Sequence, residues 1–158
     1  MEKTGLVFLP SPGVSHLISA VVLGKRLLDK QPCFSITVLL MNLHIPSIKH
    51  ATATASYIQS LTASHPRIHF IDVPLIDFPF KNIHNLVAFI SLFIDKHKSF
   101  IEEAIKRTSC SSSPPATALI IDLFSTTMIE VGKELGIPTY LYFTSGAALL
   151  GLMLYLQH

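Results

Sequence analysis

Cysteine is scarce in this chain, and what there is forms no motif. Cys33 and Cys110 are the two cysteines among 158 residues. They make no C-x-x-C pair, so free thiols in a reducing, cytoplasmic setting are expected rather than a disulfide. A secretory leader is not expected either, because the opening apolar run Gly5–Leu9 meets Pro10 too soon to serve as a signal-peptide core. Charge is also thin, at 14% of residues against 49% apolar. That balance is too hydrophobic for disorder, and it suggests apolar surface meant for a partner. Twelve basic and ten acidic residues give a net charge of +2. They are scattered, with no basic stripe to track a phosphate backbone, so nucleic acid is not implied.

Three further scarcities narrow the chemistry. Gly13 is the only glycine in the first loop, which removes the G-x-G-x-x-G fingerprint and the P-loop and weakens nicotinamide and ATP readings. Eight histidines are present, yet His65 and His69 are separated by Pro66 and His44 and His50 lack helical register, so no metal site is expected. The apolar stretch from Ile137 to Leu156 is interrupted by Pro138, Thr139, Thr144, Ser145 and Gly146, which argues for a strand, a turn and a helix rather than a membrane span.

What is present alternates between strands and helices. Gly5–Leu9, Phe34–Leu40, Ile68–Ile71, Ala118–Asp122 and Thr139–Phe143 are short runs rich in apolar residues, most of them bounded by turn residues, and they are predicted as strands. Helical spacing predicts helices over Ser15–Lys30, with Ser15 as N-cap, then Ser47–Thr62, one long helix over Ile83–Arg107, Ser125–Leu135 and Ser145–Leu156. Asp72–Phe80 and Thr108–Pro115 read as loops. The length suits one domain, and five alternations predict a doubly wound, Rossmann-like α/β parallel sheet.

In such sheets ligands gather at the carboxyl ends of the strands, where the strand order reverses. Two polar residues fall there: His16, in the loop after the first strand, and Asp122, which ends the fourth. With strand order 3-2-1-4-5 the two become neighbours. A helix N-terminus favours the neutral imidazole and a carboxylate favours and orients its cation, which together describe a general base. The competing reading is structural: His16 packs in a turn and Asp122 caps the next helix. Thr144-Ser145-Gly146 could hold a sugar or phosphate at a helix start, or could be an ordinary cap. Phe89, Phe93, Phe124 and Tyr142 could line an apolar acceptor pocket, or could be core.

Three stretches carry a resemblance. Phe8-Leu9-Pro10-Ser11-Pro12-Gly13-Val14-Ser15-His16-Leu17 resembles the first strand and catalytic loop of plant UDP-dependent glycosyltransferases. Leu119–Phe124 resembles the family's strand bearing its catalytic aspartate, and Gly136–Ser145 its following strand and turn, in the same order and spacing. The resemblance implies the amino-terminal, acceptor-binding domain of a GT-B fold. It implies UDP-glucose as donor, a small hydroxylated acceptor such as a flavonoid, phenolic or triterpenoid, and no metal. It makes His16 the base and Asp122 its partner, sets Thr144 and Gly13 at the donor sugar, and sets His16, Phe124, Phe89 and Phe93 at the acceptor. The family's donor-binding box begins with Trp, and this sequence has no Trp. Residues 1–158 are therefore expected to be an incomplete amino-terminal domain, inactive without the carboxyl-terminal donor domain. The alternative is a truncated, non-catalytic module that binds a metabolite or pairs with an intact homologue.

Overall fold

The computed structural model describes residues 3–43, 50–76, 85–110 and 114–156. β1 (Thr4–Leu9) lies at the centre of a five-stranded sheet with β2 (Phe34–Leu40) and β3 (Ile68–Asp72) on one side and β4 (Ala116–Asp122) and β5 (Thr139–Tyr142) on the other. All four pairings are parallel, and the order is β3-β2-β1-β4-β5. The order reverses direction at β1 and β4, the switch point of a doubly wound fold.

Alternation along β1 divides the core. Leu6 and Phe8 face one layer with Leu17, Val21 and Leu28 of α1 (Val14–Lys30) and Leu61 of α2 (His50–Ser64). Val7 and Leu9 face the other, with residues of α3 (Leu86–Lys96), α4 (Lys98–Cys110) and α5 (Ile129–Glu134). Successive side chains of a strand point to opposite faces, so a central strand apolar from Leu6 to Leu9 must be covered twice. The helix layers provide that cover.

The helices depart from expectation in four places. Gly13, not Ser15, is the N-cap of α1, and no side chain caps that end. Its φ of 129° lies where a side chain is strained, so the chain can turn into the helix two residues earlier. His16 consequently sits in the first turn of α1 rather than in a loop.

The long helix predicted over Ile83–Arg107 is two helices. His97 ends α3 with φ −90° and ψ 0°, its amide bonded to the Ile94 carbonyl at 2.9 Å. Its imidazole is buried at 1% exposure, donates from Nδ1 to the Phe93 carbonyl at 2.7 Å and lies against the Phe93 ring. Helix α4 then runs on to Cys110, so Thr108 is a buried helical residue and not the start of a loop.

The helix expected from Ser125 begins earlier, as a 3-10 turn over Leu123–Met128, and becomes α-helical only as α5. Gly136, with φ 67°, follows its end. The last helix, α6 (Ala147–Tyr155), starts after Gly146 and contains no buried residue. The expected helix starts at Ser47 and Ile83, and the second half of the Asp72–Phe80 loop, lie outside the described residues. No helix among the described residues is long and apolar enough to cross a membrane.

Candidate active site

β1 and β4 run side by side with Leu9 opposite Ile121, so whatever follows Leu9 and Ile121 meets at one end of the sheet. Asp122 is the last residue of β4. His16 is brought back over it by the first turn of α1, which the Gly13 turn sets directly above the strand end. Imidazole Nδ1 and carboxylate Oδ2 are 2.8 Å apart, with the His16 side chain 26% exposed and Asp122 nearly closed off at 4%. With Nδ1–H donating to the carboxylate, Nε2 is the nitrogen free to take a proton.

The Asp122 hydrogen bond raises the His16 pKa above its ordinary value. Burial opposes that rise and the carboxylate's charge adds to it. For Asp122, burial alone would push the carboxyl up. The His16 bond and charge, the Phe124 amide and a smaller contribution from Ser11 outweigh it, and the net shift is downward. Asp122 is thus held as the carboxylate and makes His16 a stronger base than an isolated imidazole, with a partly open ring that exchanges protons with what binds beside it.

Asp122 also receives the Phe124 amide on Oδ1, at 3.4 Å, and caps the 3-10 turn. This turn carries the Phe124 ring to the edge of His16, with centroids 6.0 Å apart and planes at 73°. A small recess beside the pair is bounded by Pro10, Ala20, Ile120 and Tyr142. The larger cleft, about 320 Å³, opens at the amino ends of the strands among Lys3, Cys33, Phe34, Arg67 and His69. Despite its size that is the wrong pole for a parallel sheet, where ligands bind at the carboxyl ends.

The structure therefore brings His16, Asp122, Phe124 and Gly13 together. A Cβ built on Gly13 would lie 3.7 Å from the His16 ring. Thr144 is exposed just past β5. Phe89 and Phe93 are 8% and 2% exposed and stack on one another in α3 at 6.5 Å. As packed here they belong to the helix layer rather than to an open wall. Ser11, which no sequence motif singles out, is buried beside Asp122. Its position between two prolines gave no chemical signal. Among the described residues no group of three or more His, Cys, Asp or Glu side chains converges as a metal site would require.

No family model matches the chain. It is 40% identical over 163 residues to UDP-glycosyltransferase 71K2 of Pyrus communis, covering 99% of this chain and 33% of that protein. It is 36% identical over 157 residues to UDP-glycosyltransferase 71E1 of Stevia rebaudiana. Its fold superposes on Medicago truncatula UGT71G1 complexed with UDP-glucose with a TM-score of 0.84 and 34% identity, over 98% of this chain and 32% of that one. The chain is related to the plant UDP-glycosyltransferases and has the fold of their amino-terminal domain. It spans about a third of the length of the curated relatives it matches. Phytolacca americana UGT2, solved with UDP-2fluoro-glucose and pterostilbene, matches with a TM-score of 0.80 and 32% identity over 99% of this chain and 34% of that one.

Proposed function

We propose that these residues form the acceptor-binding half of a UDP-glucose-dependent glycosyltransferase acting on a hydroxyl of a small plant metabolite of the flavonoid, phenolic or triterpenoid type. The observation that carries the reading is the 2.8 Å pair of His16 and Asp122 at the switch point of the sheet. Relatives named as flavonoid glucosyltransferases support the acceptor class, and a relative solved with UDP-glucose supports the donor.

In the proposed reaction the acceptor hydroxyl gives its proton to His16 Nε2 as its oxygen bonds to the anomeric carbon. The bond from that carbon to the UDP oxygen breaks, UDP leaves with the bonding pair, and configuration inverts. Asp122 stabilises the imidazolium formed. A positioned base of this kind contributes roughly 10²–10⁴ to the rate. Phe124, at the edge of His16, offers an apolar surface to an aromatic or terpenoid acceptor. Gly13 and Thr144 face the donor sugar, and most of the donor site lies on sequence outside these residues. No metal or other cofactor enters the reaction. A cytoplasmic location fits the free Cys33 thiol.

The test joins these residues to a carboxyl-terminal donor domain and measures glucose transfer to a panel of phenolic acceptors. His16→Ala should lower the rate at least about 10²-fold. Transfer at an unchanged rate would overturn the assignment.

A further inference from the structure

β1 leaves the sheet through Pro10, Ser11 and Pro12, immediately past the point where Leu9 stands opposite Ile121. This brings Ser11 to the strand end that Asp122 occupies. Ser11 is 2% exposed, and its hydroxyl oxygen is sealed from solvent without a hydrogen-bond partner among the described residues. Buried hydroxyls nearly always find an acceptor, because an unmade bond forfeits solvation with no return.

Asp122 has the acceptor capacity. Its Oδ2 takes the His16 bond and its Oδ1 a long bond from the Phe124 amide, which leaves lone pairs unused on a buried carboxylate. Ser11 helps hold the Asp122 carboxyl below its usual range, although in its present rotamer its hydroxyl makes no hydrogen bond among the described residues. The following proline restricts the Ser11 backbone to extended conformations, so turning χ1 and the hydroxyl is the adjustment left. Ser125 and Thr139 also carry buried hydroxyls without partners, but neither contributes to the Asp122 shift.

We propose that Ser11 is a positioning residue: its hydroxyl donates to the Asp122 carboxylate and holds that group ionised and turned toward His16 Nδ1. Its catalytic meaning rests on His16 being the base. The arrangement ties the base to three separate parts of the chain: the segment after β1 supplies the hydroxyl, β4 the carboxylate and α1 the imidazole.

The test is a carboxyl and imidazole NMR titration of the 158-residue chain with Ser11, Ser11→Ala, Ser11→Cys and Ser11→Thr. Asp122 and His16 titrate as a coupled pair, so the lower of the two macroscopic pKa values is the readout. A lost hydrogen bond to a charged group should raise it by about one unit in Ser11→Ala. Ser11→Cys keeps the volume but donates weakly, and should behave like Ser11→Ala. Ser11→Thr keeps the hydroxyl and should restore the original value. A lower pKa unmoved in both Ser11→Ala and Ser11→Cys overturns the proposal, as does a Ser11→Thr protein that folds but titrates like Ser11→Ala. Failure of the functional reading is separable: His16→Ala would then leave transfer intact while the Ser11 titration results stood.

Discussion

His16 Nδ1 and Asp122 Oδ2 meet at 2.8 Å across 106 residues of sequence, and the same carboxylate receives the Phe124 amide on its other oxygen. Capping and pairing are therefore joint roles of one side chain. Cap formation fixes the carboxylate at the start of the 3-10 turn, and the second oxygen is left aimed at the imidazole.

Replacing Asp122 by Asn removes the charge and keeps the shape. The Asp122 bond is the largest influence raising the His16 pKa, and burial opposes it. In Asp122→Asn the imidazole should titrate at lower pH than in the parent, as read from its ring proton shifts. In a chain completed with a donor domain, glucose transfer should fall by about 10²-fold, because the imidazolium formed in the reaction loses its counter-charge. An imidazole that titrates unchanged would mean the pair is not formed in solution.

The same shifts fix the sign of the pH dependence of stability. The His16 pKa is raised, so its contribution is fully present below the ordinary value of 6.5 and is lost as pH rises through the folded value. The Asp122 pKa is lowered, so its contribution is present above the ordinary 3.8 and is lost as pH falls through the folded value. The stability gap between the parent and Asp122→Asn should be widest between those two ordinary values and narrow on either side. Urea unfolding across that range checks it, and a gap that widens steadily above pH 8 would contradict it.

Gly13 can be tested apart from the chemistry. Its φ of 129° disfavours any residue with a Cβ, although the space there is open enough, with the His16 ring 3.7 Å from the built Cβ. Gly13→Ala should cost about 1–3 kcal/mol in chemical denaturation through backbone strain. Relief of that strain would move the first turn of α1, and so weaken the His16–Asp122 bond. A Gly13→Ala protein as stable as the parent would show that the turn relaxes freely.

Sequence made the sheet legible because a strand buried on both faces leaves a continuous apolar run. β1, β2 and β4 each contain such a run, and their order follows from the doubly wound pattern. Apolar spacing could not reveal the break at His97. Phe89, Phe93, His97, Ile101 and Ile105 keep four-residue steps because α3 and α4 face the same core. The backbone turns at one residue whose side chain stays buried in register. Asp122 was visible as a strand-end carboxylate, but its two oxygens serving two partners required the fold. Ser11 was hidden for a related reason: the strand end it comes to belongs to β4, more than a hundred residues away in sequence.

α6 provides the last prediction. Leu149, Leu152, Leu154, Tyr155 and Leu156 are between 45% and 77% exposed, and Tyr140 and Leu141 of the edge strand β5 are open too. A helix apolar on every side is built to be buried, and a contiguous exposed patch of this kind drives association. The 158-residue chain alone should self-associate with rising concentration in light scattering coupled to gel filtration. Leu152→Lys with Leu156→Lys should shift it toward monomer. Neither side chain is buried, so the double variant should unfold within about 0.5 kcal/mol of the parent for each substitution. A parent chain that stays monomeric at every concentration would mean that α6 folds back over its own sheet in solution.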